Sequence, residues 1–119
     1  MAKKSPNDMV AKAETMIQSG RVSDAPAYFR EAIRLAGRHP SVAKVNARLG
    51  MVLLQLGKAA EAIPPLEQAE RALATNSVRL MLVRAYVLVG RHEDGEALIR
   101  RVIEKPPAAP EDLATAARL

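Results

Sequence analysis

Gly20, Gly57 and Gly90 punctuate the chain at intervals of 37 and 33 residues, and each is followed by a cation: Arg21, Lys58 or Arg91. Each glycine closes one apolar segment and precedes another. A helix that ends needs a residue tolerant of left-handed backbone just past its last turn, and glycine supplies it. A cation next in line faces the negative end of the helix dipole. Downstream side chains then recur in phase. A small residue (Ala25, Ala62, Gly95) is followed four positions on by a large apolar one (Phe29, Leu66, Ile99) and three beyond that by Ala32, Ala69 or Val102. Offsets of four and three share one helix face. Upstream, Met9, Ala13 and Met16 correspond to Asn46, Gly50 and Leu53 and to Arg79, Val83 and Tyr86. The unit is a helix A, a glycine turn and a helix B, and units of this kind bury their apolar faces by stacking.

Start and stop signals divide the chain further. Ser5-Pro6-Asn7-Asp8 reads as a capping serine, a first-turn proline and an acid. Ser23, Ser41 and Asn76 or Ser77 are further caps, and Pro106-Pro107 is a stop. These signals predict helices over 6–19, 23–37, 41–56, 59–74, 77–89, 92–105 and 110–119. Half of the chain is apolar, yet only Tyr28, Phe29 and Tyr86 are aromatic. That mixture favours helices packed through small side chains over a β-sandwich. Pro26 and Pro64-Pro65 fall inside B helices, where proline lacks a donor and crowds the preceding turn. The fourth helix is expected to start late, near Ile63, or to bend there. The pairing of Val83 and Val102 with Gly95 reads as volume compensation at a tight crossing.

Small–large–small spacing around a glycine turn, in units of about 34 residues, resembles the tetratricopeptide repeat. The second unit carries the resemblance best, with Leu49-Gly50, Leu53, Gly57, Ala62, Leu66 and Ala69 on the family's signature positions. The first unit has Lys12-Ala13 in place of the Leu-Gly pair. The resemblance implies an all-α fold, a right-handed α-solenoid of antiparallel helix pairs with about seven helices. Its divisions are a tail at 1–5, repeats at 6–40, 41–75 and 76–109, and a final segment 110–119. That segment reads either as a capping helix or as the start of a fourth repeat, because Leu119 falls where such a unit would place a core leucine.

In this family the A helices line a concave groove that holds an extended peptide or a partner helix. The resemblance therefore assigns to the groove Asn7, Val10 and Glu14, with Ile17 and Gln18, from the first unit. The second gives Lys44, Arg48, Met51 and Gln55, with Ala47 and Leu54; the third gives Leu80, Arg84 and Val87, with Ser77, Met81 and Leu88. The residues themselves agree in one unit. Lys44, Arg48, Met51 and Gln55 form a stripe set apart from the apolar face of Val45, Leu49, Val52 and Leu56. Such a groove suits a ligand with apolar side chains and carboxylates, which arginine holds through paired, charge-assisted hydrogen bonds. The co-chaperone subtype, which grips acidic tails through basic and amide side chains, is disfavoured. Its matching positions here are Val10, Glu14, Arg48, Ser77 and Met81.

Nothing in the sequence proposes catalysis, a metal or a cofactor. His39 and His92 are far apart and without partners at ligand spacing, and there is no cysteine. Glu93, Asp94 and Glu96 open a helix, where acids complement its positive end. The net charge of +5 is dispersed, and the scarcity of aromatics removes the stacking platform that single-stranded nucleic acid requires. No stretch suffices for a membrane span. The expected function is thus a cytoplasmic protein-binding adaptor, not an enzyme. Two alternatives stand beside it: the N-terminal repeat module of a larger bacterial enzyme such as a transferase, and a self-assembling scaffold. The abundance of arginine and alanine points to a GC-rich bacterial source.

Overall fold

A computed structural model of the chain describes residues 5–104. It contains α1 (Pro6–Gln18), a 3-10 turn (Val22–Asp24), α2 (Ala25–Ala36), α3 (Val42–Gln55), α4 (Ala59–Leu73), α5 (Asn76–Leu88) and α6 (His92–Glu104). The expected seventh helix, 110–119, lies outside the described residues. The densest packing joins each helix to the next in the chain, α1 to α2 and onward to α6. The result is an open stack of antiparallel hairpins, the α-solenoid expected from the repeat.

The glycine turns show why the punctuation recurs. Gly20, Gly57 and Gly90 have φ of +84°, +77° and +83°. The N–H groups of Arg21, Lys58 and Arg91 reach back to the carbonyls of Met16, Leu53 and Tyr86 at 2.7, 2.8 and 2.7 Å. Those of the glycines bond to Ile17, Leu54 and Val87 at 3.0–3.1 Å. This paired closure satisfies carbonyls that a helix end leaves free. The cations act differently from expectation. It is their backbone N–H that meets the helix end, whereas the Arg21 and Arg91 side chains bond to Asp24 and Asp94, both at 2.8 Å. Each arginine thus ties the turn to the start of the next helix.

Other start signals are partly corrected. Ser5 caps α1, its Oγ accepting the Asp8 N–H at 3.1 Å. The cap of α5 is Thr75, whose Oγ1 accepts from Val78, one residue before the expected Asn76. Ser41 makes no side-chain cap, because its hydroxyl is engaged with His39 Nδ1 at 2.8 Å. Pro26 stands in the first turn of α2, where its missing N–H has no intrahelical partner to lose. The fourth helix does not start late: α4 begins at Ala59 and runs through Pro64 and Pro65. Ala60 and Glu61, whose carbonyls those prolines cannot serve, are both exposed, so water is available to them.

The core follows the repeat register. Ala13, Phe29 and Ala32 are fully buried in the first unit, and Leu53, Ala62, Leu66 and Ala69 in the second. In the third unit Leu98 is buried and Ile99 is not, which reverses the expected assignment. Ile99 faces the open end of the stack. Gly95 is also roomier than a tight crossing would be, since a Cβ there would meet its nearest atoms at 3.7–3.8 Å. The close approach lies instead at Gly50, where a Cβ would come within 2.4 Å of Leu66.

Candidate interaction groove

The A helices carry the candidate site. Apolar side chains at steps of three and four draw one side of α1, α3 and α5 into the core and leave another side free. Asn7, Lys44, Arg48, Met51, Gln55, Leu80, Arg84 and Val87 are exposed, and Val10 and Glu14 are half-buried. Among the flanking positions, Gln18, Ser77 and Leu88 are exposed, whereas Ile17, Ala47, Leu54 and Met81 are half-buried.

The structure brings these residues together unevenly. Arg48 on α3 forms an ion pair with Glu14 on α1. Two positions read separately as ligand contacts are therefore partners of each other, and Arg48 is not a free cation. The register shows how this comes about. Glu14 stands six residues before its turn glycine, and Arg48 stands nine before the next. Met51 and Met81 hold the same relation one unit along, and Arg84 is the next residue in the position of Glu14 and Met51. Among the described residues neither Arg84 nor Lys44 has an ion-pair partner. Along the A helices these positions thus pass from a neutralised ion pair to two methionines, then to an unpaired arginine beside exposed Val87 and Leu88. Leu80 departs from the expected set. It lines a recess with α6 residues at the end of the stack, because its position lies on the side facing the next unit.

Two polar clusters join the repeats behind this face. Glu70 on α4 accepts from Arg79 Nε at 3.2 Å and lies 3.8 Å from Arg101 Nη2, tying α4, α5 and α6 together. Tyr86 donates its hydroxyl hydrogen to Glu67 at 2.6 Å, and the Arg91 guanidinium sits 4.7 Å from the Tyr86 ring centre. Burial, reinforced by the hydrogen bond to ionised Glu67, pushes the Tyr86 hydroxyl up to about 12. One hint of the first cluster is visible in the repeat register: Glu70 occupies a position that is isoleucine in the other two units, Ile33 and Ile103. His39 and His92 are exposed, and among the described residues no three His, Asp or Glu side chains gather as metal ligands do.

An open stack of helical hairpins closed by left-handed glycines defines the class as a helical-repeat solenoid. A family model described as tetratricopeptide repeat matches residues 10–77, more than half of the chain, and the chain belongs to that family. A search of curated proteins returned no match. Repeats of this family form protein-interaction or scaffold modules. No described helix is long and apolar enough to cross a membrane.

Proposed function

We propose that the face lined by α1, α3 and α5 binds an extended peptide or partner helix, and that the chain catalyses nothing itself. One observation carries this reading. Met51, Val87 and Leu88 are 37%, 48% and 61% exposed on the same face as the unpaired Arg84. Removing such apolar surface from water favours association at about 25 cal/mol per Å². Arg84 would orient the ligand by paired hydrogen bonds to a carboxylate. The preferred ligand therefore carries bulky apolar side chains and an acid. It engages the second and third units more than the first, where Glu14 already meets Arg48. Nucleic acid is a poor alternative: Phe29 and Tyr86 are buried, which leaves no row of exposed rings on which bases could stack.

Selection of random peptides displayed on phage against the whole chain tests the proposal. Enriched sequences should combine acidic and bulky apolar residues. Their affinity should fall about tenfold to a hundredfold in Arg84→Glu, as expected for loss of a charge-assisted hydrogen bond. Leu88→Ser should also weaken them, whereas Arg100→Glu on α6 should not. Peptides that bind Arg84→Glu and Leu88→Ser as well as the parent chain would refute the assignment of this face.

A further inference from the structure

The B helices α2 and α4 flank a recess of about 390 Å³ over α3, and none of the residues lining it belongs to the groove. Arg30 lines it from α2, Asn46 and Leu49 from α3, and Glu61 and Gln68 from α4. Asn46 is only 5% exposed, yet its side-chain amide has no hydrogen-bond partner among the described residues. The register shows what is missing. Asn46 and Arg79 each lie eleven residues before a turn glycine, and Gln68 and Arg101 each lie eleven after one. Arg79 and Arg101 meet at the Glu70 carboxylate, but the position of Glu70 one unit earlier is Ile33. The two amides thus stand where two arginines stand in the next unit, without the acceptor that serves them. Packing does not demand an amide there, since Met9 fills the same position of the first unit and is buried.

The α4 wall of the recess offers an acceptor. The Glu61 carbonyl would receive the N–H of residue 65 in an α-helix, or of residue 64 in a 3-10 turn. Both residues are proline, and both line the recess with Glu61. The floor supplies an amide that can donate and accept, and Gln68 supplies a second. Charge at the mouth is balanced, because Arg30 and Glu61 form an ion pair at 3.6 Å. No unpaired charge is left there to offset the desolvation of an ionic ligand. The group that fits is neutral and carries both N–H donors and a carbonyl acceptor.

We propose that this recess is a second binding site, which takes a primary carboxamide: the side chain of an asparagine or glutamine presented by a partner protein. Its N–H groups donate to the Glu61 carbonyl, replacing water there, and its carbonyl accepts from the Asn46 amide. Leu49 and the two proline rings receive its aliphatic stem, and Gln68 supplies a further amide at the rim. Binding gives a buried amide and a helical carbonyl the partners they lack, which is where such a site gains its specificity.

Titration of the isotope-labelled full chain with N-acetylglutamine methylamide, followed by NMR, tests this. The side-chain amide signals of Asn46 and Gln68 should shift and saturate. N-acetylalanine methylamide, which has the same peptide groups, and N-acetylglutamate methylamide should bind at least about tenfold more weakly. Asn46→Met, which installs the first unit's residue, should abolish the shift at Gln68. Gln68→Leu, at an exposed position, should weaken binding and remains informative should Asn46→Met unfold the chain. Arg84→Glu should leave the titration unchanged, which separates this site from the groove. Three results overturn the proposal: no shift at Asn46 and Gln68, equal binding of the alanine or glutamate compound, or binding that survives the substitutions at both positions.

Discussion

Gly50→Ala should destabilise the protein, against the usual rule that alanine improves a helix. Gly50 lies within α3, where alanine would gain up to about 1 kcal/mol of helix propensity. The added Cβ, however, would lie 2.4 Å from both Cγ and Cδ2 of Leu66 and 3.2 Å from Cδ1. Leu66 is fully buried, so its branch point cannot swing into solvent, and α3 and α4 must separate instead. Overpacking of this kind costs about 1–3 kcal/mol, and contact with a branch point puts the case in the upper part of that range. The net loss is about 1–2 kcal/mol, a fall in Tm of about 5–10 °C for a domain of this size. Urea unfolding followed by circular dichroism would measure it. Leu66→Ala, itself costing about 2–5 kcal/mol, provides the decisive background. There the obstacle is gone, and Gly50→Ala should become stabilising by about 0.5–1 kcal/mol. Gly95→Ala, with nearest atoms at 3.7–3.8 Å, should stabilise the parent chain by a similar amount. A neutral Gly50→Ala in the parent, or the same sign in both backgrounds, would refute the packing argument.

Three further outcomes rest on particular residues. Ala74 closes α4 in left-handed backbone at φ +48°, so Ala74→Gly should raise stability by about 1 kcal/mol, read from the urea midpoint. Glu70→Gln and Glu14→Gln should differ sharply. The Glu70 and Arg79 side chains are 11% and 15% exposed, and an uncompensated charge there should cost about 2–3 kcal/mol. The Arg48–Glu14 pair is open to water and should be worth less than about 1 kcal/mol; equal losses in the two variants would contradict the burial argument. Tyr86 is raised above the ordinary value of about 10, so the unfolded chain gives up this proton first. Its contribution to stability is full below about pH 10 and is lost as pH rises toward 12. Absorbance at 295 nm in Tyr28→Phe should show a midpoint near 12, and Tyr86→Phe should remove that dependence.

The fold was largely legible because its determinants are local and repeated. A glycine past the last turn, with apolar residues at fixed offsets on either side, states a helix end, a helix face and a period together. The reading failed where burial or distance depends on how helices pack, within a unit or between units. Ile99 has the spacing of a core residue, and it is exposed because its cover must come from a neighbouring unit and not from α6. Gly95 looked like a tight crossing since its neighbours are valines. The distance between helices, which no spacing encodes, placed the close approach at Gly50 instead. Pro64 and Pro65 point to a late start or a bend near Ile63, yet α4 starts at Ala59 and runs through both, with Ala62, Ile63 and Leu66 buried on either side of them.

The groove was legible as a list of positions and illegible as an electrostatic surface, for the same reason. Lys44, Arg48 and Arg84 look equivalent in sequence because each is a cation on an exposed stripe. Their difference depends on which side chain of the preceding A helix lies alongside, a relation across 34 residues for Glu14 and Arg48. Once one such pair is seen, the register extends it. The position six before the turn glycine meets the position nine before the next in the Glu14–Arg48 pair; one unit along the same positions are Met51 and Met81, and Arg84 has no A helix beyond it among the described residues. A charge stripe on a helical repeat therefore has to be read against its neighbouring repeat before any cation is assigned to a ligand. By that rule the proposed contact with a ligand carboxylate falls to Arg84 and not to Arg48.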